Sequence, residues 1–370
     1  MKAGTKSLTF FQACMIMILS TGLLNHVNII PLLLQSAGND GWISILLSLC
    51  IALIWIPVFL YVMNRKGTRP IYSWLKEQSG SFVAWTIVSI LLIYLFSVAF
   101  VTLKDTTNWT NTSYLTKTPV YMIATILTII CSLAAMAGIR SIAICAGALL
   151  PIVLILGYFV MGLNFQYKDY SLITPVLENG FSPVLRGIIY PGAGMVELFM
   201  FFLLQHHLST RASYRGLAIL AICLAGLTVG PYLGSIANFG REIAIDLRFP
   251  VFEQWRLVTI GKYINHLDFL SIYQWLSGAF IRISLAIFFV YDLTPIRSKL
   301  PKFIFCVSVS VALILIVQFS MSDMAFMNWL YWYYYPIICI GIISLSFILY
   351  LLTRFHHAHR RIKHHDPTTR

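Results

Sequence analysis

Long apolar runs, separated by short polar or basic breaks, dominate this chain. They fall at Leu8–Ser36, Gly41–Met63, Ser81–Leu103, Pro119–Ala137, Ser141–Leu163, Val184–Gln205, Tyr214–Asn238, Phe269–Tyr291, Phe303–Phe319 and Trp329–Thr353. A helix needs about 20 mostly apolar residues to cross about 30 Å of hydrocarbon, and these runs are close to that length or longer. The pattern predicts an all-α integral membrane protein of ten transmembrane helices. Residues 1–353 read as a single transmembrane domain and 354–370 as a basic cytoplasmic tail.

Composition strengthens this picture. Of the 370 residues, 59% are hydrophobic and only 11% charged, and the mean hydropathy is +0.81. Soluble domains carry about 25% charged residues, so an ordinary cytosolic enzyme is excluded. The apolar stretch after Met1–Ser7 is far longer than a signal-peptide core and lacks a small-residue cleavage site, so the first segment is expected to stay as a helix. With the N-terminus inside, the inner loops and tail hold 17 basic and three acidic residues, and the outer loops eight basic and nine acidic. The net charge of +13 is thus a topogenic signal that puts both termini in the cytoplasm, and no nucleic-acid partner is expected. The histidine-rich tail reads as a solvated basic segment near anionic lipid headgroups. All seven cysteines lie in apolar runs without ligand spacing, so no metal, disulfide or cofactor is expected. A P-loop, a zinc motif and a placeable nucleophile–base pair are all lacking, which leaves no enzyme reading.

Two spans are interrupted in mid-membrane. The first contains Ser20-Thr21-Gly22-Leu23-Leu24-Asn25-His26, and the sixth contains Tyr190-Pro191-Gly192-Ala193-Gly194 with Glu197 about one turn later. Lipid offers no hydrogen-bond partners, so unwound backbone survives there only when buried or lining a cavity. Breaks in spans one and six of ten suggest five plus five, the mark of an inverted-repeat transporter, with repeats of about 8–163 and 184–353. Gly226, Gly230 and Gly234, four apart in the seventh span, suit close helix packing. Only Glu197 and Arg282 lie deep within spans. Such charges are functional candidates by default. Glu197 is suited to capping the following half-helix, to binding a substrate ammonium or to accepting a proton. Arg282 is suited to holding helices one and eight together, to pairing with Glu197 or to meeting a substrate carboxylate.

The run Phe249-Pro250-Val251-Phe252-Glu253-Gln254-Trp255-Arg256, with Ile260-Gly261-Lys262-Tyr263, Leu267-Asp268 and Phe280-Ile281-Arg282-Ile283-Ser284, resembles the B subunits of GerA-type spore germinant receptors. So does Thr21-Gly22-Leu23-Leu24-Asn25-His26 through Pro31, with Ala37-Gly38 and Trp42. Lys262 departs from the pattern, which often has an acid there. The resemblance covers nearly the whole chain. It implies a LeuT-like fold of the amino acid–polyamine–organocation type, residence in the inner membrane of a bacterial endospore, and A-type and C-type partner subunits. It also implies that this subunit recognises the germinant.

On that footing a small germinant, an amino acid by preference, is expected near the midplane between helices one and six. The N–H groups of Gly22 and Leu23 would hold its carboxylate. Carbonyls around Tyr190–Gly192, or Glu197, would hold its amine, with Thr21, Asn25, Gly194 and Tyr94 shaping the pocket. The rival readings are a proton-coupled amino-acid transporter working through Glu197, and a non-binding scaffold for a receptor partner. The outer segment Phe239–Asp268 reads as amphipathic, with Phe252, Trp255 and Val258 at helical spacing.

Overall fold

The computed structural model describes residues 8–261, 264–294, 296, 298–319 and 321–364. Lys2, Lys6, Lys262, Arg297 and tail residues 365–370 lie outside the described residues, as do the side chains of tail residues 356–364. Apart from two isolated bridges, the elements are helical. Nine helical stretches among the described residues are long and apolar enough to cross a membrane.

The first of these runs from Phe10 to Lys66, 57 residues. It starts with α1 (Phe10–Leu23), where Thr9 and Gln12 form a reciprocal capping box that satisfies two otherwise orphaned N–H groups. A π turn over Leu24–Asn28 leads into α2 (Ile29–Ala37). Gly38, at φ 55°, takes a left-handed conformation that favours glycine and turns the chain into α3 (Gly41–Lys66). Leu8 bridges to Leu208, and the Gln205 amide donates to the Met63 carbonyl at 2.7 Å. Both ends of the stretch therefore meet the same turn, so the chain runs out and back.

The long α4 (Ile71–Ser113), kinked at Gly80, is followed by α5 (Val120–Ala137) and α6 (Ile139–Leu163). The sixth expected span is assembled from pieces. These are α7 (Ser182–Gly187), α8 (Ile189–Met195), a 3-10 turn at Val196–Phe199, α9 (Met200–Leu204) and a closing 3-10 turn at Gln205–His207. Then come α10 (Tyr214–Asp246), bent at Gly240, and the short α11 (Pro250–Arg256). The chain ends with α12 (Leu270–Leu293), α13 (Lys299–Val317), α14 (Asp323–Trp329), a second π turn at Leu330–Tyr334, and α15 (Tyr335–His364).

The molecule is layered around two of these stretches. The most apolar window of Ser182–His207 is 89% buried and that of Leu267–Leu293 is 78% buried, against 22% for Ile139–Tyr167 and 17% for Leu300–Val317. The two inner stretches carry the two charges that the sequence places deepest, Glu197 and Arg282. Large apolar side chains such as Ile54, Phe82, Ile93, Ile155 and Leu315 face outward. On the outside of a membrane bundle such a surface is solvated by lipid, so close packing and polar contacts hold the helices together. The glycine stripe of α10 is not the packing face that its spacing suggests. A Cβ at Gly226 or Gly230 would meet nothing, whereas one at Gly234 would press on Gln254.

At the end of the bundle away from the N-terminus, α11 lies with Phe252, Trp255 and Val258 buried and Glu253 and Arg256 paired outward at 2.9 Å, the amphipathic arrangement expected from its spacing. Trp109 stacks on Trp275 at 4.2 Å, and Phe252 and Phe249 meet this stack edge-on. Burial pushes the Tyr114 phenol, just past α4, up to about 12, so it stays neutral and donates to the Asp268 carbonyl at 2.8 Å.

The turn between α2 and α3 depends on one side chain. The fully buried Tyr232 hydroxyl accepts from the Gly41 N–H at 2.9 Å and donates to the Gly38 carbonyl. Tyr232→Phe leaves both backbone groups without that partner, at a cost of about 1–3 kcal/mol. The thermal midpoint of the purified protein should fall by a few degrees, and an unchanged midpoint would show that the turn does not need the hydroxyl.

Candidate functional site

The centre of the bundle is organised by two buried charges. Arg282, on α12, faces Glu197, on the 3-10 turn between α8 and α9. The guanidinium is bidentate: Nη1 donates to Glu197 Oε2 at 2.6 Å and Nη2 donates to Oε1. Arg282 Nη1 also reaches the Ser20 carbonyl of α1 at 3.2 Å, and Nε reaches Thr102 Oγ1 of α4 at 3.0 Å. On the other side the Thr21 hydroxyl donates to Glu197 Oε2 at 2.9 Å. One ion pair therefore joins α1, α4, α12 and the sixth span. A planar fork with several donors suits this geometry in a way that a lysine would not.

The pair is the arrangement that the sequence left open among several roles. Neither the 3-10 turn nor α9 has a side-chain cap, so Glu197 does not cap the half-helix that follows it. Breaking a pair of this kind leaves an unpaired charge in a low-dielectric interior, which is far costlier than never having the pair.

The other expected site residues divide into two groups. Thr21, Asn25, Gly194 and Glu197 come together. The Asn25 side chain packs so closely on Gly194 that a Cβ there would overlap its amide, and the two spans touch at this point. Gly22 is less crowded, since a Cβ would meet only Leu227 at 3.5 Å. Tyr190 and Gly192 turn the other way. Tyr190 stacks on Tyr331 at 5.0 Å and donates to its carbonyl at 3.3 Å, and a Cβ at Gly192 would meet Cys339. Their side of the sixth span faces the last one. Tyr94 of α4 is buried within electrostatic range of the Glu197–Arg282 pair, as is Tyr334.

The interruption in the first span takes a different form from the unwound gap that its composition suggests. Gly22 and Leu23 lie inside α1, where N–H groups belong to the helical ladder. Irregularity begins one residue later as the π turn, a feature that recurs at functional sites. The turn aims three polar side chains at its neighbours. Asn25 Nδ2 donates to the Leu224 carbonyl at 3.4 Å, His26 Nδ1 lies 3.2 Å from the Leu227 carbonyl, and Asn28 Nδ2 donates to Asp105 Oδ2 at 2.6 Å. Ser20 Oγ, Asn25 Oδ1, Tyr94 OH and Tyr335 OH are buried without a hydrogen-bond partner. Buried polar atoms are normally paired, so such a set next to an ion pair marks a place suited to a polar guest.

Several charged groups escaped the sequence reading. Asp105 and Lys104 follow the apolar run that ends at Leu103, which puts them among the outer-loop charges, yet α4 runs on to Ser113 and buries both. Asp105 pairs with Arg248, which also bonds Asp323 at 2.8 Å, and Lys104 donates to the Val317 carbonyl at 3.0 Å. At the opposite end, His206 and His207 close the sixth span against Asp292. Adjacent histidines at the end of an apolar run, with an aspartate closing another, were the available signal.

Comparison with known proteins gives a consistent result. A family profile described as spore germination protein matches residues 6–326. Spore germination protein XB of Bacillus anthracis is 42% identical over 340 residues, 92% of this chain and 96% of the relative. Spore germination protein A2 of Bacillus subtilis (strain 168) is 23% identical over 334 residues, covering 87% of this chain and 89% of the relative. Spore germination protein KB of the same strain is 22% identical over 259 residues, covering 68% and 69%.

Glu197→Gln and Arg282→Met should each destabilise the purified protein by about 3–5 kcal/mol. The double variant should lose clearly less than the sum of the two. Thermal unfolding in detergent tests this, and strictly additive losses would rule out direct coupling of the pair.

Proposed function

The chain belongs to the spore germination protein family, and from that membership we propose that it is the germinant-recognising B-type subunit of a spore germination receptor. It would act in the inner membrane of an endospore beside A-type and C-type partners, with both termini on the spore-core side. Counting the out-and-back stretch Phe10–Lys66 as two passes gives ten crossings, compatible with a LeuT-like five-plus-five arrangement of about 8–163 and 184–353.

The ligand would be a small zwitterion, an amino acid by preference, bound where α1 and its π turn meet the Gly194–Glu197 region. The observation carrying this reading is the buried Glu197–Arg282 pair flanked by unpartnered Ser20, Asn25 and Tyr94 atoms. Opening the pair would offer an anion to the ligand's ammonium and a guanidinium to its carboxylate. With the amides of Gly22 and Leu23 inside α1, Arg282 is the better carboxylate partner, and those two amides would contribute only if α1 opened locally. Thr21 would hold Glu197 in place, and Tyr190 and Gly192 would act through their contact with the last span. Ligand binding can shift the conformation only as far as it favours one state over the other.

The test is equilibrium binding of labelled amino acids to purified protein, beside uptake into proteoliposomes with and without a pH gradient. Binding without uptake, reduced at least tenfold by Gly194→Leu in a folded variant, is the expected result. Gradient-driven uptake abolished by Glu197→Gln would instead make the chain a proton-coupled transporter. Site variants that alter assembly with partners but never ligand response would leave a non-binding scaffold.

A further inference from the structure

We infer that His206, His207 and Asp292 form a divalent transition-metal site, most suited to zinc, that ties the end of the sixth span to the end of α12. The three residues are the one such group found among the described residues. His206 Nε2 lies 2.8 Å and His207 Nε2 3.1 Å from Asp292, and both point at the same oxygen, Oδ2. The ligand atoms all lie within 4.8 Å of one another. Zinc binds imidazole nitrogen and carboxylate oxygen at roughly 2.0–2.2 Å, which puts tetrahedral ligand atoms about 3.3 Å apart. The two histidine–aspartate spacings need to open by only a few tenths of an ångström.

The local backbone explains how sequence neighbours converge. His206 and His207 end the sixth span in a 3-10 turn, and Leu208 is extended at φ −76°, ψ 136°. The helix stops there, and the two rings come to rest 3.9 Å apart. The side chains are 18%, 21% and 19% exposed, so the group is sheltered yet reachable. Two imidazoles favour a late first-row metal over magnesium or calcium, which take oxygen ligands. The ammonium groups of Lys66 and Lys302 lie within electrostatic reach of Asp292. Their charge opposes any dication, so the two imidazoles have to supply most of the affinity. Three protein ligands leave a coordination position for water or another donor.

Zinc content and cobalt absorption of the purified full-length chain test the inference. After chelator stripping and dialysis against a fixed low concentration of free Zn²⁺, the native chain should hold one more equivalent than His207→Gln or Asp292→Asn. The histidine-rich tail is common to all three proteins, so its own binding cancels in the comparison. Co²⁺ should give visible d–d bands in the native chain that vanish in the variants, and Zn²⁺ should raise the thermal midpoint of the native chain alone. Equal metal content and identical cobalt spectra would overturn the site and leave the three residues as a hydrogen-bonded clasp. If Asp292→Asn fails to fold, His207→Gln decides the question.

Discussion

The buried pair of Glu197 and Arg282 is the constraint on which the rest of the bundle is arranged. A lone charge at that depth would be intolerable, so the two stretches carrying them must be adjacent, and they are also the two most enclosed. Once the pair is in place, its remaining donors and acceptors recruit the Ser20 carbonyl, Thr21 and Thr102. Four segments far apart in sequence are thus held by one polar knot in a surrounding where apolar contact distinguishes poorly between helix and lipid.

Local backbone irregularity is concentrated around this knot. The 3-10 turn at Val196–Phe199 presents Glu197, the π turn at Leu24–Asn28 presents Asn25 and Asn28, and the π turn at Leu330–Tyr334 presents Tyr334. Altered helical winding shifts side-chain direction without exposing much backbone, which suits an apolar medium. The close approach of Asn25 to Gly194 shows how tightly the first and sixth spans meet in this conformation. Admitting a ligand there requires the two spans to separate.

Much of the architecture was legible in the order of apolar runs, because membrane thickness imposes a length that a sequence must satisfy. The two deep charges were legible for the same reason: they interrupt runs that otherwise exclude charge. Asp105 was not, because apolar character fades after Leu103 while α4 continues to Ser113, so a hydropathy reading ends the span before its buried acid. The π turn at Leu330–Tyr334 contains no glycine or proline itself, and its signal is Pro336 just beyond it, which cannot donate to the Trp332 carbonyl one turn back. In the first span, glycine suggested unwinding, but Gly22 fits a regular helix and the ladder changes only past it. Composition locates a disturbance more readily than it specifies its geometry. The facing directions of Tyr190 and Gly192 depend on the last span, which no local pattern encodes.

The ion cluster at the far end of the bundle has two unequal arms. Arg248 holds Asp105, whose side chain is 2% exposed, and Asp323, whose side chain is 47% exposed. Mobile ions screen exposed charges within a Debye length of about 8 Å at physiological ionic strength, and reach buried ones far less. Rising salt therefore weakens the grip on α14 while leaving the grip on α4 nearly intact. The two arms of one arginine therefore respond unequally as the ionic strength around them changes, the exposed one loosening and the buried one holding.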